Sequence, residues 1–435
     1  MAKHMIFLLS AAALGARAAD PVPTFNRDVQ PILANRCQGC HRAGEIGPMS
    51  LMSYRDVRPW AKAIKQSVLT RRMPPWFADP QVGKFANDRT MSDAEIRTLT
   101  AWVDGGAPEG DPADKRPDRE FVPGWNIPTP DLVVGMDKPF PVPAKAKIDY
   151  QYIVVPLNLT EDRWVQMIET RPSDPSVVHH VVVFVRDPDS PWLRGAPPQT
   201  PIVPEGNARA HVGGFGNEIL HIYTPGNVPD VFPPGQAKRI RAGSDLVLQM
   251  HYTSTNRSTE DQTRLGLVWA KEPPRERIIT LAAGNDRFEI PPGADNFPVA
   301  GRITVPNHAT LLSIFPHMHM RGKAFEMRVT HPDGASEMVL RLPRYDFNWQ
   351  LTYKLETPLA LAPGTKVEAV GYFDNSANNP ANPDPQATVR WGEQSWEEMM
   401  YGFFDVAIDA RYPSRMDWFR RKLPAAEKMA TKADD

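Results

Sequence analysis

The sequence predicts a multidomain chain: a small all-α unit followed by two tandem all-β units built as antiparallel sandwiches. Three observations carry this. Helix signals are confined to residues 21–111, and short alternating runs bounded by Gly, Pro, Asn or Asp take over from residue 131. Proline reaches 46 of 435 residues, about twice the average share. With 11 tryptophans and 41% hydrophobic residues, that much proline indicates packed sandwiches with long loops rather than disorder.

The first eighteen residues read as an export signal. Lys3 and His4 are basic, Ile6 to Gly15 is apolar but too short to span a bilayer, and Ala16-Arg17-Ala18 is a small-x-small cleavage site. No later stretch approaches a membrane span, so the mature chain is expected to be periplasmic or secreted. The net charge is -1 without a basic run, which argues against nucleic acid as a partner.

Residues 19–111 form the expected helical unit. Ser92-Asp93-Ala94-Glu95 opens a helix, with Ser92 as N-cap and Glu95 at the capping-box position. Ile96, Leu99, Trp102 and Val103 make its apolar stripe, and Gly105-Gly106 stops it. Upstream, Cys37-Gln38-Gly39-Cys40-His41 contains the only two cysteines of the chain. On a helix, positions i, i+3 and i+4 share one face, so two thiols can form thioethers to a porphyrin while the imidazole binds its iron. A disulfide or a thioredoxin-like pair is the alternative for two spaced thiols, but His41 directly after Cys40, behind an export signal, favours one covalent haem c. The unit is therefore expected to be a c-type cytochrome.

Candidates for the second axial ligand are Met49, Met52, Met73 and Met91. Met73 is favoured because Pro74-Pro75 holds its loop extended ahead of the closing helix.

A polar, proline-containing stretch at 112–130 reads as a linker that keeps the helical unit close without a strong interface. The two β units are expected at 131–280 and 281–412, with a tail at 413–435. Gly243 to Tyr252 and Gly364 to Phe373 echo each other, each a turn followed by an extended run.

Histidines cluster within the β region. His179-His180 leads into the apolar run Val181 to Val185. His251 shares a strand face with Val247 and Gln249. In His317-Met318-His319 the two imidazoles project from one side of a strand. Near the end, Glu397-Glu398-Met399-Met400 offers thioethers. Imidazole and thioether together suit copper better than zinc, and neutral ligands let the ion change charge. His211, His221, His308 and His331 read as structural or surface residues, and the Asp374 to Asn379 tract as a solvated loop.

Taken in order, these motifs resemble the copper type II, ascorbate-dependent monooxygenases, the family of peptidylglycine α-hydroxylating and dopamine β-monooxygenase. The resemblance covers residues 131–412. It implies jelly-roll-like sandwiches and two coppers: one for electron transfer on His179, His180 and His251, and one that binds oxygen on His317, His319 and Met399. Met400 is the alternative to Met399, which follows the acidic pair as the family methionine does. The implied activity is hydroxylation of a C–H bond of an organic substrate by dioxygen. One electron would be relayed across an open cleft between the sandwiches, and an ascorbate-like reductant or redox protein would be the external donor. The disulfides of the animal members are absent, and the cytochrome in front is an addition to the family pattern. A haem–copper electron carrier without hydroxylation, or a reductase of a small oxidant, is the competing reading.

Overall fold

The computed structural model describes residues 21–121, 124–204 and 217–421, so the export signal and His211 lie outside it. The chain is mostly β, with a helical layer at its start.

In that layer a π-helical turn, Phe25–Val29, runs into α1 (Gln30–Arg36). The others are α2 (Tyr54–Val57), α3 (Ala61–Leu69) and α4 (Asp93–Asp104). The capping box on α4 forms as predicted: Ser92 accepts from the Glu95 N–H, and the Glu95 carboxylate accepts from the Ser92 N–H. Its apolar stripe buries Leu99 and Trp102 completely against Phe25, Leu33 and Val68.

The first β unit contains β1 (Leu132–Gly135), β2 (Phe140–Val142), β3 (Gln151–Pro156), β4 (Arg163–Arg171), β5 (Val178–Arg186) and β6 (Glu218–Tyr223). It continues with β7 (Asp230–Val231), β8 (Gln236–Ile240), β9 (Asp245–Tyr252), β10 (Thr259–Asp261) and β11 (Arg264–Trp269). The second contains β12 (Glu276–Asn285), β13 (Glu289–Ile290), β14 (Phe297–Thr304), β15 (Ala309–Met318) and β16 (Gly322–Thr330). Its remaining strands are β17 (Ser336–Leu342), β18 (Tyr353–Leu361), β19 (Lys366–Phe373), β20 (Val389–Arg390) and β21 (Met400–Asp409). The echoing turns before β9 and β19 both place glycine at positive φ, Gly243 at 73° and Gly364 at 91°.

Each unit packs two sheets around its own core. In the first, β3-β9-β5-β6 covers β1-β11-β4-β8, with Val181, Val183, Leu248 and Leu267 between them. In the second, β14-β19-β16-β17 covers β12-β21-β15-β18, around Met327, Ala369, Phe373 and Phe404. Parallel pairing of β8 with β12 makes one continuous sheet through both units. The expected boundary at residue 280 therefore falls inside a strand that serves both.

A third apolar cluster joins the units. Tyr152, Val182, Phe184 and Val247 from the first meet Phe315, Tyr401 and Phe403 from the second. The β3-β9-β5-β6 sheet is thus covered on both faces, and every residue of β5 is buried. That double cover explains why β5 reads as an unbroken apolar run instead of alternating.

The helical unit is docked, in contrast to the loosely held unit expected from the linker. Between α3 and α4, residues 74–90 leave the helices and lie along the edge strand β18. The N–H of Ala86 donates to the Lys354 carbonyl and that of Glu356 to the Lys84 carbonyl, both at 2.9 Å. Phe77 and Phe85 enter the second core, and Trp76 packs on Tyr353 at 4.8 Å. Burying each phenylalanine contributes about 2–3 kcal/mol. A net docking energy of about 2.8 kcal/mol already leaves roughly 1% undocked. On the first unit a polar chain completes the contact, with Arg42 on Glu45 (2.8 Å), Arg171 on Glu45 (3.4 Å) and Arg171 on Glu169 (2.8 Å). The expected linker is itself strapped down, since the Arg116 carbonyl and N–H pair with the Gln30 amide.

Past residue 412 the chain forms α5 (Arg415–Phe419), whose Trp418 is fully buried in the second core. Asn375 is also fully buried, accepting from Arg321 Nε, so the Asp374 to Asn379 tract is an anchored turn and not a solvated loop.

Candidate metal centres

Adjacent residues of a regular strand point to opposite faces, so His179 and His180 could not normally share an ion. A bulge between Val178 and His180 breaks the β5–β9 register and brings them together. His180 then pairs across the ladder with His251. The three Nδ1 atoms converge, His179 to His180 at 3.2 Å and His251 to His180 at 3.4 Å.

Protonation suits this convergence to a cation. His179 Nε2 lies 3.0 Å from the Phe347 carbonyl, which only accepts, so that nitrogen carries the proton and Nδ1 is a bare lone pair. His251 Nε2 is held by the Ser395 hydroxyl at 3.0 Å. At most one proton can be shared between His180 Nδ1 and either neighbour, so the three nitrogens cannot all satisfy one another. The ligand atoms lie within 4.8 Å of one another, and all three rings are buried.

The second set sits beside the first. His317 is the penultimate residue of β15 and His319 follows two residues on, on the same side. His317 Nδ1 meets the Gln350 side-chain oxygen at 2.6 Å, and the Gln350 amide nitrogen is committed to the Phe347 carbonyl. The proton is thereby placed on Nδ1, and Nε2 is the free donor. His319 is fully buried, and neither ring nitrogen makes a hydrogen bond of normal geometry, although the Glu397 and Gln394 carbonyls lie nearby. Two orphaned nitrogens on one buried imidazole fit a metal ligand.

Strand alternation separates the two methionines. In β21, Met400, Phe404 and Val406 face the second core, where Met400 packs with Met318 against Gly371. Met399 lies on the other side, with Tyr401 and Phe403. It lines a cavity of about 20 Å³ together with His180 and His317, enough for roughly one water molecule.

Glu398 fixes this arrangement. Its fully buried carboxylate accepts from the N–H groups of His319 (2.8 Å), Arg321 (2.7 Å) and Met399 (3.1 Å). Burial pushes its carboxyl up to about 8, against the pull of those donors. With both oxygens engaged, Glu398 holds the His-x-His turn to the methionine and is a poor candidate for moving protons.

Burial also pushes His179 and His317 down to about 4, and His180, His251 and His319 well below their ordinary value. All five imidazoles are therefore neutral near pH 7, the state that ligates metal.

The two sets do not face each other across an open cleft. The His180 and His317 rings meet edge to face at 5.6 Å, and His317 and His319 at 5.3 Å. The apolar cluster and the β8–β12 pairing close the interface, because opening it would expose those side chains. Phe347 stacks on His179 at 4.2 Å and reaches within 6.3 Å of His251 and His319. Phe347, Gln350 and Ser395 were not anticipated. They lie in loops with no local signal, and only the tertiary fold brings them to the histidines.

The C-x-x-C-H run lies just past α1 rather than within a helix. It closes a single turn, with the His41 N–H on the Cys37 carbonyl at 2.9 Å. Both thiols are free, so no disulfide forms, and burial pushes Cys37 up to about 12. His41 Nδ1 faces the Met49 carbonyl at 3.3 Å, which leaves Nε2 as the donor for iron. Two thiols and one oriented imidazole on a single turn fit a covalent haem. Among the methionines, Met91 is buried in the helical core and Met49 packs against it. Met73 is half-buried, where the chain leaves the helices for β18.

The other described histidines, His221, His308 and His331, make contacts within the fold. His221 Nδ1 pairs with Asp230 at 2.7 Å, and His331 pairs with Glu337 at 3.1 Å. The His308 carbonyl accepts from Trp418 Nε1 at 3.3 Å. Among the described residues no helix is long and apolar enough to cross a membrane.

No protein-family model matches the sequence, and no curated protein matches it. Among solved structures, PNGF-II in two crystal forms aligns at TM-scores of 0.30 and 0.29, with 10% and 9% identity over 64% of this chain. The chain spans less than two thirds of the PNGF-II chains, 65% and 64%. The VP2 subviral particle of infectious bursal disease virus aligns at 0.19, with 11% identity over 62% of this chain and 76% of that one. Likenesses at this level carry no argument about fold or function.

Proposed function

We propose that this chain is an exported haem–copper monooxygenase that hydroxylates a C–H bond of an organic substrate with dioxygen. In this reading the helical unit is a c-type cytochrome that supplies electrons, and the two β units are jelly-roll-like copper domains. One observation carries it: two sets of neutral, buried donors lie side by side with opposite nitrogens free. His179, His180 and His251 converge through Nδ1, whereas His317 offers Nε2 and His319 makes no hydrogen bond of normal geometry.

Thioether beside imidazole favours copper over zinc, and copper bound there would supply one-electron chemistry and dioxygen activation. The protein's own residues do the rest. Phe347 and Gln350 set the tautomers of His179 and His317, and Ser395 holds His251. Glu398 fixes His319 relative to Met399. Val182, Ile219, Phe315 and Phe403 line the small cavity and keep bulk water from it. Cys37 and Cys40 would attach the haem, with His41 as one axial ligand and Met73 as the other.

The fate of labelled dioxygen tests the reading. Copper-loaded protein given ascorbate and an extract of candidate metabolites should place one labelled oxygen atom in an organic product. Reduction of copper and haem with no labelled product from any extract would favour the electron-carrier reading instead.

A further inference from the structure

Hydroxylation of a C–H bond by dioxygen consumes two electrons and two protons and releases one water. Protons must therefore reach the metal cavity, and water must leave it. Among the described residues its lining includes no carboxylate, lysine or arginine. The apolar cluster around it is closed. Two further cavities line up with it.

A bulge in β6 sets up the alignment. Val183 pairs with His221 and Phe184 with Ile219, which leaves Leu220 as the extra residue. Ile219 and Ile222 thereby share the face toward the second unit, while His221 and Tyr223 lie on the other. The first cavity, about 60 Å³, lies between Gly44 and Glu45 of the helical unit and this second pair, and exposed Val228 also lines it. Thr170 lines it as well, and its buried hydroxyl has no hydrogen-bond partner among the described residues, as fits bound water.

The second cavity, about 30 Å³, is lined by Asp230, Lys238, Thr280, Ser313 and Asp405. His221 stands between the two, with Nδ1 on the Asp230 carboxylate at 2.7 Å. Although burial opposes it, His221, Lys354 and Lys238 hold the Asp230 carboxyl far below its ordinary range. A charged wall suits this cavity to water. Lys238 donates to Thr280 Oγ1 at 3.1 Å, and the Asp405 carboxylate accepts from Thr280 at 2.6 Å and Ser313 at 3.3 Å. Ile219, Ile222, Phe315 and Phe403 line both this cavity and the metal cavity, so one layer of side chains separates them.

We infer that the three cavities form one passage for water and protons, from the seam beside the helical unit to the metal cavity, with the His221–Asp230 pair as its gate. Each exceeds the roughly 10–15 Å³ that one water needs. The hydroxyls and carboxylates of the second cavity hold water next to the apolar layer, and a rotamer change of Ile219 or Ile222 opens that layer. The inference rests on the monooxygenase reading for its purpose, whereas the passage itself is a property of the chain.

Hydrogen exchange in copper-free, full-length protein tests it. Gln249 lines the metal cavity, and its side-chain amide donates to Tyr152. Exchange of that amide is measured against the backbone amide of Leu248, which lies in the first core. Ser313→Val fills the second cavity and should slow the ratio at least about fivefold, a direction that loosened structure cannot produce. His221→Ala removes the gate and should raise the ratio. The double variant should stay slow, because the two changes lie in series. A ratio in Ser313→Val no lower than in the unaltered chain, or a double variant as fast as His221→Ala, would overturn the passage. These rates are read without copper or substrate, so they stand or fall separately from the search for a hydroxylated product.

Discussion

His319→Ala, loaded with copper, should hold one copper per chain instead of two and lose oxygen-dependent turnover by more than about 100-fold, beyond the loss from altering a residue that merely supports a ligand. Neither ring nitrogen of His319 makes a hydrogen bond of normal geometry, so its removal deletes mainly a donor and costs the fold little. The His179, His180 and His251 set stands on β5 and β9, whose pairing does not involve His319, so its copper should remain. His308→Ala, on the far side of the second unit, serves as control and should bind two coppers. Copper content by elemental analysis decides it, and two coppers retained in His319→Ala would rule out the second set as a site.

Replacing Cys37 and Cys40 together by alanine should abolish covalent haem completely and leave both coppers bound. The thiols contribute nothing to docking, which depends on Phe77, Phe85 and the backbone bonds to β18. The helical unit should therefore stay folded on the sandwiches. Turnover with a protein electron donor should collapse, and ascorbate, which can reduce copper without the haem, should restore it. Copper lost along with the haem would show that the two centres depend on each other structurally, against the layout described above.

Much of this was legible in the sequence because it rests on local rules. The Ser92–Glu95 box starts α4, and Gly105 ends it. The apolar run Val181 to Val185 announces the strand β5. Alternation along β21 separates Met399 from Met400 once one knows that the even positions face the core. The bulge at His179 was not legible, since nothing in Val178-His179-His180 distinguishes a bulge from a regular strand. Nor was the closed interface, because the apolar outer faces of β3 and β9 resemble core faces until the second unit is placed on them. Docking by residues 74–90 was hidden for another reason. The prolines beside Met73 suit a haem loop, yet the same extended backbone lets Phe85 pair with Leu355 on β18. Gln350 gains its meaning only from His317 and Phe347, brought to it by the tertiary fold.

Copper X-ray absorption on the reduced, fully loaded protein tests the central claim most directly, that two donor sets of unlike chemistry lie side by side. Two coppers per chain should be present, with nitrogen scatterers throughout and one sulfur shared over the two ions. That sulfur should vanish in Met399→Leu and persist in Met400→Leu. A spectrum with no sulfur in the unaltered protein, or a sulfur that survives Met399→Leu, would contradict the account.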